Sequence, residues 1–260
     1  MKHILIIHGS ARKGNTYRVT ELARATIAKS GRVDFDEVFV HDLKLPFCLG
    51  CLSCITRGES YCPHLGITGD LHRRISSADA LIITSPTYIL SLNAEVKNLL
   101  DHFAYLFHRP RHFSRKALVI STTAGAGAGA TCRFIKRTLQ AWGFNCVHSL
   151  PIVCMGEKLS ETEAQLRKIE LTAEKFARDL LSDRVRHPSW FQIVLYTAFR
   201  HNASSLAPQE VPDHTHWRDS GLLNAVYPTK PGLAKYLAAA FMFRAMGFMI
   251  DMFVPKTKTE

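Results

Sequence analysis

A three-layer, doubly wound α/β domain followed by a mostly helical extension is the fold the sequence predicts, and three observations carry it. Short apolar runs alternate with segments of helical spacing over roughly the first 180 residues. Those runs are nearly continuous in Ile, Leu and Val, as expected for parallel strands buried on both faces. After residue 183 the alternation stops, and aromatic residues, His and Pro take over.

Taken in order, the apolar runs predict strands at residues 3–8, 36–40, 80–84, 117–121 and 146–153, with helices at 16–29, 70–76, 93–107, 130–142 and 160–181. Ser160-Glu161-Thr162-Glu163 has the pattern of a capping box and marks the start of the last helix. Right-handed crossovers place the ligand site beyond the carboxyl ends of the strands, so the loops there should carry the chemistry. The chain divides into residues 1–182, the α/β domain, and 183–260, an aromatic-rich extension for packing, an oligomer interface or a substrate pocket. The extension holds two helical segments, 190–200 and 232–254, separated by an irregular polar stretch. The second is apolar on nearly every face but is interrupted by Arg244 and Asp251, leaving less than the roughly 20 apolar residues of a membrane span. A helix of that kind must be buried, on its own domain or on a second protomer. Membrane-surface contact through Lys235, Arg244, Lys256 and Lys258 is the less favoured alternative.

The 260 residues are 47% hydrophobic and 21% charged, which excludes a disordered chain. With 33 Lys and Arg against 22 Asp and Glu, the formal charge of +11 suits an anionic partner. Nucleic acid is set aside, because the basic residues are scattered and no zinc-finger, RNP or helix-turn-helix signature is present. The densest basic run, Arg109-Pro110-Arg111-His112-Phe113-Ser114-Arg115-Lys116, reads either as a solvated loop or as a landing site for NADPH phosphates. Seven cysteines are an odd number, and the apolar start Ile4-Leu5-Ile6-Ile7 is too short for a signal peptide. Both point to a cytoplasmic protein with reduced or metal-bound cysteines.

Three loops at strand ends stand out. Gly9-Ser10-Ala11-Arg12-Lys13-Gly14-Asn15-Thr16 joins a strand to a helix with small, hydroxyl and amide residues, the composition of an anion cradle at a helix N-terminus. It is neither a Walker A sequence nor a GxGxxG fingerprint, and it fits one phosphate monoester better than a pyrophosphate. Ser85-Pro86-Thr87-Tyr88 follows the third strand, where the strand order reverses. Thr122-Thr123-Ala124-Gly125-Ala126-Gly127 follows the fourth, and its small residues let backbone approach a flat ring.

The first loop resembles the FMN-phosphate loop of the flavodoxin-like NADPH-dependent FMN reductase family. Ser85-Pro86-Thr87-Tyr88, with Lys97 and Asp101 after it, resembles that family's S-P-x-Y segment and the helix that follows. The resemblance covers residues 1 to about 180 and departs at His102, where the family commonly has Arg after the Asp. It implies a five-stranded parallel sheet of order 2-1-3-4-5 and an FMN site formed by Ser10, Arg12, Asn15, Thr16, Pro86, Thr87, Tyr88, Thr123, Ala124, Gly125 and Gly127. It also implies a homodimer or homotetramer.

Cys48-x2-Cys51-x2-Cys54-x7-Cys62 lies in the loop after the second strand. Four thiolates so spaced can wrap a 4Fe-4S cluster, remain thiols or a redox disulfide, or bind zinc. The spacing resembles that of iron-sulfur flavoproteins, a branch of the same fold. Cys132, Cys146 and Cys154 read as small core residues, and His214-x-His216 as part of an exposed polar loop.

The function expected is an FMN-dependent oxidoreductase passing hydride from NADPH or NADH to flavin N5, then to a quinone, flavin or other electron-poor small molecule. The chemistry is flavin-based and requires no catalytic side chain. The alternative is an electron-transfer protein working between FMN, a cysteine-bound cluster and a redox protein partner.

Overall fold

Alternation within each strand sorts the core into two layers, one on each face of the sheet. Leu5, Ile7, Leu81, Ile83, Ala117 and Val119 pack with Leu71, Ile75, Val96, Leu99, Ile135 and Leu139. Their sequence neighbours Ile4, Ile6, Ile82, Leu118 and Ile120 point the other way, onto Val19, Ala23, Ile27, Ile169, Ala173 and Phe176. Each large apolar side chain buried in this way contributes about 1.5–3 kcal/mol. The structure, a computed structural model, describes residues 1–154, 162–182, 184–206 and 211–253.

The strands are β1 (Lys2–His8), β2 (Val33–Phe39), β3 (Ala80–Tyr88), β4 (Ser91–Leu92), β5 (Lys116–Thr123) and β6 (Cys146–Val153). The helices of the α/β region are α1 (Asn15–Ser30), α2 (Ser53–Thr56), α3 (Leu65–Ser77), α4 (Ala94–His102), α5 (Tyr105–His108), α6 (Ala128–Ala141) and α7 (Glu163–Leu181). The parallel strands run in the order β2-β1-β3-β5-β6, which is the expected 2-1-3-4-5 order, with β4 added as an antiparallel stub on β3. Helices α1 and α7 cover one face, and α3, α4 and α6 the other. Both edge strands carry unusual residues: β2 has Asp34, Asp36 and Glu37, and β6 has Pro151.

Several boundaries differ from the sequence expectation. Helix α3 begins at Leu65, because packing of Thr68 and Leu71 overrides the low propensity of Gly66 and Gly69. The single helix expected over 93–107 breaks after His102 and resumes as α5. Of the capping box, Ser160 and Glu161 lie outside the described residues, and Thr162 caps α7 by accepting from the Gln165 amide at 3.3 Å.

The extension forms α8 (Trp190–His201), α9 (Pro212–Asp219) and α10 (Leu233–Phe253) around a core of Ile193, Tyr196, Trp217, Leu222, Tyr227 and Ala239. Ser189 and Gln192 make a reciprocal capping box that starts α8. The stretch expected to be irregular holds α9, with Pro212 in its first turn and Trp217 fully buried. His214 and His216 are therefore not in an exposed loop. His214 Nδ1 donates to the Ala203 carbonyl at 2.8 Å and His216 Nε2 to the Pro110 carbonyl at 3.2 Å. Helix α10 packs on α8 and leaves Leu233, Leu237, Phe241 and Phe248 exposed. Among the described residues, no helix is long and apolar enough to cross a membrane.

Candidate functional site

The chain leaves β1 toward β2 and returns to β3 on the other side, which opens a crevice at the carboxyl ends of β1 and β3. Gly9 enters it so close to β3 that a Cβ there would lie 2.2 Å from Val96 and 2.3 Å from the Thr84 carbonyl oxygen. Only glycine fits. Asn93 fastens the two loops: its amide Nδ2 donates to the Gly9 carbonyl at 2.6 Å, and its Oδ1 accepts from Ser85 Oγ at 3.0 Å. From the sequence alone, Asn93 is legible only as the start of the helix expected over 93–107.

The cleft holds about 840 Å³ of empty space open to solvent, and it gathers Ser10, Arg12, Asn15, Thr16, Pro86, Thr87, Tyr88, Thr123 and Ala124 from three separate loops. Gly14, Thr122 and Cys154 also line it. Their places, Thr122 and Cys154 at strand ends and Gly14 at the start of α1, could have marked them. Gly125 and Gly127 fall outside this lining. Gly127 has φ +98, and a Cβ on it would sit 2.7 Å from Leu90 Cα, so its role is to admit the β3–β4 hairpin tip. That tip, Ile89 and Leu90, takes left-handed backbone at both positions, φ 48 and 62, and is exposed.

Hydroxyl pairs fix the cleft walls. Thr16 Oγ1 lies 2.6 Å from Thr122 Oγ1, and Thr87 Oγ1 lies 2.8 Å from Ser121 Oγ and 3.0 Å from Thr131 Oγ1. At the phosphate end, α1 opens from Gly14 with no side-chain cap and no acidic residue in its first turn, and a Cβ built on Gly14 meets nothing within 4 Å. The positive end of the helix dipole therefore faces open space beside Ser10, Asn15, Thr16 and Arg12. Pro86, Ala124 and Tyr88 supply apolar and flat surface. This donor set fits a phosphate monoester joined to a planar ring.

The four loop cysteines share a second, smaller pocket with Leu49, Leu52, Pro63, His64, Asp101 and His102. Left-handed backbone at Gly50 (φ 61) and Leu52 (φ 57) folds the loop back so that Cys48, Cys51, Cys54 and Cys62 line one space. All are free thiols. Ser53 hydrogen bonds lower the pKa of exposed Cys51, whereas burial, followed by the charge of Cys62, raises that of Cys54. Asn98 anchors the loop: its Oδ1 accepts from the Cys48 amide at 2.9 Å, and its Nδ2 donates to the Pro46 carbonyl at 2.9 Å. His102, the departure from the family pattern, is buried. Its Nδ1 donates to the Asn98 carbonyl at 2.9 Å, so its Nε2 accepts from His64 Nδ1 at 2.9 Å. Lys97 and Asp101 form an exposed pair at 2.6 Å. Four thiols around one pocket with apolar walls fit a 4Fe-4S cluster.

The basic run is largely turned inward, with its arginines on acceptors of the protein itself. Arg109 is 1% exposed; its Nη2 donates to the Cys54 carbonyl at 2.5 Å and to Glu59 at 3.1 Å, and its Nη1 donates to Asp213 of α9 at 2.5 Å. Arg111 pairs with Glu59 at 2.5 Å, Arg115 donates to the carbonyls of Ile75 and Ser76, and Lys116 donates to the Ser114 carbonyl. Burial works to raise the pKa of Asp213, but His108 and Arg109 outweigh it and hold the carboxyl below its ordinary range. The partners lie up to 106 residues away in sequence, so the run carries no local sign of its burial.

The family model described as NADPH-dependent FMN reductase matches residues 2–153. The chain belongs to the NADPH-dependent FMN reductase family. Within this family's wider kin, an iron-sulfur flavoprotein of Archaeoglobus fulgidus is 28% identical over 144 residues, 55% of this chain and 64% of the relative. The chain thus spans less than two thirds of that relative's length. An iron-sulfur flavoprotein of Methanocaldococcus jannaschii is 30% identical over 153 residues, 58% of this chain and 75% of the relative. Among solved structures, the azoreductase AzrA superposes with a TM-score of 0.55 at 13% identity, covering 67% of this chain and all of that one. An NADH:FMN oxidoreductase in its apo form gives 0.51 at 19% identity, covering 68% and 89%. Both show the shared fold. The reductase match ends where β6 ends, so α7 to α10 lie outside it.

Proposed function

We propose that this protein is an FMN-dependent oxidoreductase that accepts hydride from NADPH or NADH and delivers electrons to a small electron-poor molecule such as a quinone or a second flavin. The observation that carries this reading is the cleft, where an uncapped helix terminus, hydroxyl and amide donors, one arginine and a flat apolar wall converge. Bound FMN supplies the hydride-accepting ring. Ser10, Asn15, Thr16 and the first-turn amides of α1 hold the phosphate, and Arg12 offsets its charge. Thr87, locked by Ser121 and Thr131, would hold the ring by hydrogen bonding, and Tyr88 with the hairpin tip would bound the space open to a nicotinamide. Among the described residues, the titratable side chains in the lining are Arg12, Tyr88 and Cys154, and burial raises the pKa of the Cys154 thiol. These lining residues contribute position and electrostatics to the flavin chemistry.

The purified protein should be yellow, release FMN and not FAD on heating, and bleach rapidly when NADPH or NADH is added without oxygen. A colourless protein that fails to take up added FMN would sink the assignment. A second reading rests on the shared cysteine pocket and on the two relatives named iron-sulfur flavoproteins: electron transfer between FMN, a cluster held by Cys48, Cys51, Cys54 and Cys62, and a protein partner. Anaerobic purification with an iron assay, and bleaching by a reduced ferredoxin-like donor but not by nicotinamides, would favour it over the first.

A further inference from the structure

Cys146, His148 and Asp179 lie at the opposite pole of the sheet from the cleft, at the start of β6 and near the end of α7. Among the described residues they form the one set of three metal-donor side chains whose ligand atoms all fall within 4.8 Å of one another. Alternate residues of a strand share a face, so Cys146 and His148 both point toward α7, whose buried Asp179 meets them. Cys146 Sγ lies 3.4 Å from His148 Nε2 and 3.4 Å from Asp179 Oδ2, and His148 Nε2 lies 2.7 Å from the same oxygen.

A tetrahedral ion with a metal–sulfur distance of about 2.3 Å and metal–nitrogen or –oxygen distances of about 2.0–2.1 Å requires donor separations of about 3.5 Å to sulfur and about 3.3 Å between nitrogen and oxygen. Two of the three edges already stand near those lengths, and the third needs to open by only about 0.6 Å. We propose that Cys146, His148 and Asp179 form a three-ligand site for a zinc-type divalent cation, with water as the fourth ligand.

Arg186 is the built-in competitor. Its Nη2 lies 2.8 Å from both Asp179 oxygens, and its side chain is 54% exposed, so it can swing into solvent or keep Oδ1 while Oδ2 turns to the ion. A carboxylate held in that way from outside the ligand shell is a common support for a metal site. His148 is partly exposed and gives an ion a route in. Lys116 and Lys136 add positive charge nearby, which keeps affinity below that of a four-ligand structural zinc site.

Binding converts the Cys146 thiol, now hydrogen-bonded to Asp179, into a metal-bound thiolate. His148 enters neutral, the proton that its Nε2 shares with Asp179 being carried on Nδ1 instead, and Asp179 enters as its carboxylate, so one proton is released per ion bound. The thiolate and carboxylate then balance the dication.

The test is an anaerobic Co(II) titration of the full chain carrying Cys48→Ser, Cys51→Ser, Cys54→Ser and Cys62→Ser, so that the loop cysteines do not compete. The expected result is one Co(II) per chain with sulfur-to-metal charge-transfer absorption, visible bands of tetrahedral intensity and release of one proton. Adding Cys146→Ser should abolish the charge-transfer band, His148→Ala should weaken binding at least tenfold, and Arg186→Ala should tighten it. Absence of the band at millimolar Co(II), or a band unchanged by Cys146→Ser, would overturn the proposal. The titration is repeated with Cys146→Ser in the otherwise native chain, each variant being checked by circular dichroism. There, equal Co(II) stoichiometry with and without the substitution would likewise overturn it.

Discussion

In the cleft, Thr16 of α1 bonds to Thr122 of β5, and Thr87 of β3 bonds to Ser121 of β5 and Thr131 of α6, so the walls are braced by the sheet and its own helices. In the cysteine pocket, the Cys54 carbonyl is held by buried Arg109, whose charge is met by Asp213 on α9, well beyond the span shared with the reductase family. The two sites thus differ in what their geometry depends on. The cleft is a product of the doubly wound fold, whereas the cysteine pocket, besides its anchor at Asn98, leans on a contact with the C-terminal extension.

The most direct way to break this comparison is Arg109→Met, which leaves Asp213 and Glu59 without their buried partner. We expect a loss of about 3 kcal/mol by denaturant unfolding, the low end for a broken buried ion pair, because His108 still pairs with Asp213 and Arg111 with Glu59. Labelling of Cys54 should quicken while FMN affinity under native conditions stays within about twofold, a limit set by the separateness of the two networks. A parallel fall in FMN affinity would show that the sites are not separate.

Acid should act on the same junction. Burial lowers the pKa of His112 to about 3 and that of His216 to about 4, from 6.5. Both are neutral in the folded chain and take up protons first when unfolded. The stability they confer is complete above pH 6.5 and drains as pH falls from there toward each folded value. The expected loss is about 1–2 kcal/mol for each by pH 5. Trp217, buried in the extension with its Nε1 donating to the His108 carbonyl at 2.7 Å, reports it by fluorescence, and His216→Gln should flatten the profile.

The cleft is sharpened by Ser10→Ala combined with Asn15→Ala. FMN affinity should fall about 10- to 100-fold, the usual consequence of losing hydrogen bonds to a charged group. Cys54 labelling should be unchanged, and unaltered affinity would move the phosphate elsewhere. The smallest effect expected is from Thr87→Val, about 1 kcal/mol of stability, as Ser121 and Thr131 lose a shared partner.

The parallel strands and most of the cleft were legible because both are local patterns: nearly continuous apolar runs, and small polar residues directly after them. The braces were not. Asn93 reaches 84 residues back to Gly9, Asn98 reaches 52 to Pro46, and Arg109 reaches 104 forward to Asp213. A polar residue whose partner is so distant carries no local sign of being buried. Helix α9 was hidden for a related reason: its pattern is polar except for Trp217, and only packing on α5 and the loop after it makes the segment helical.

The two outer strands have a consequence for how this molecule meets its own copies. An open sheet invites another strand to extend it, and that route leads to aggregation. Here one rim carries Asp34, Asp36 and Glu37, the last two tied to Arg74 and Arg24, so an added strand would meet a row of charged side chains and not an apolar edge. The other carries Pro151, which lacks the N–H that a continuous ladder needs. The sheet is therefore a poor template for its own extension at either end, and at high concentration the chain should resist the strand-to-strand pairing that precipitates other open sheets.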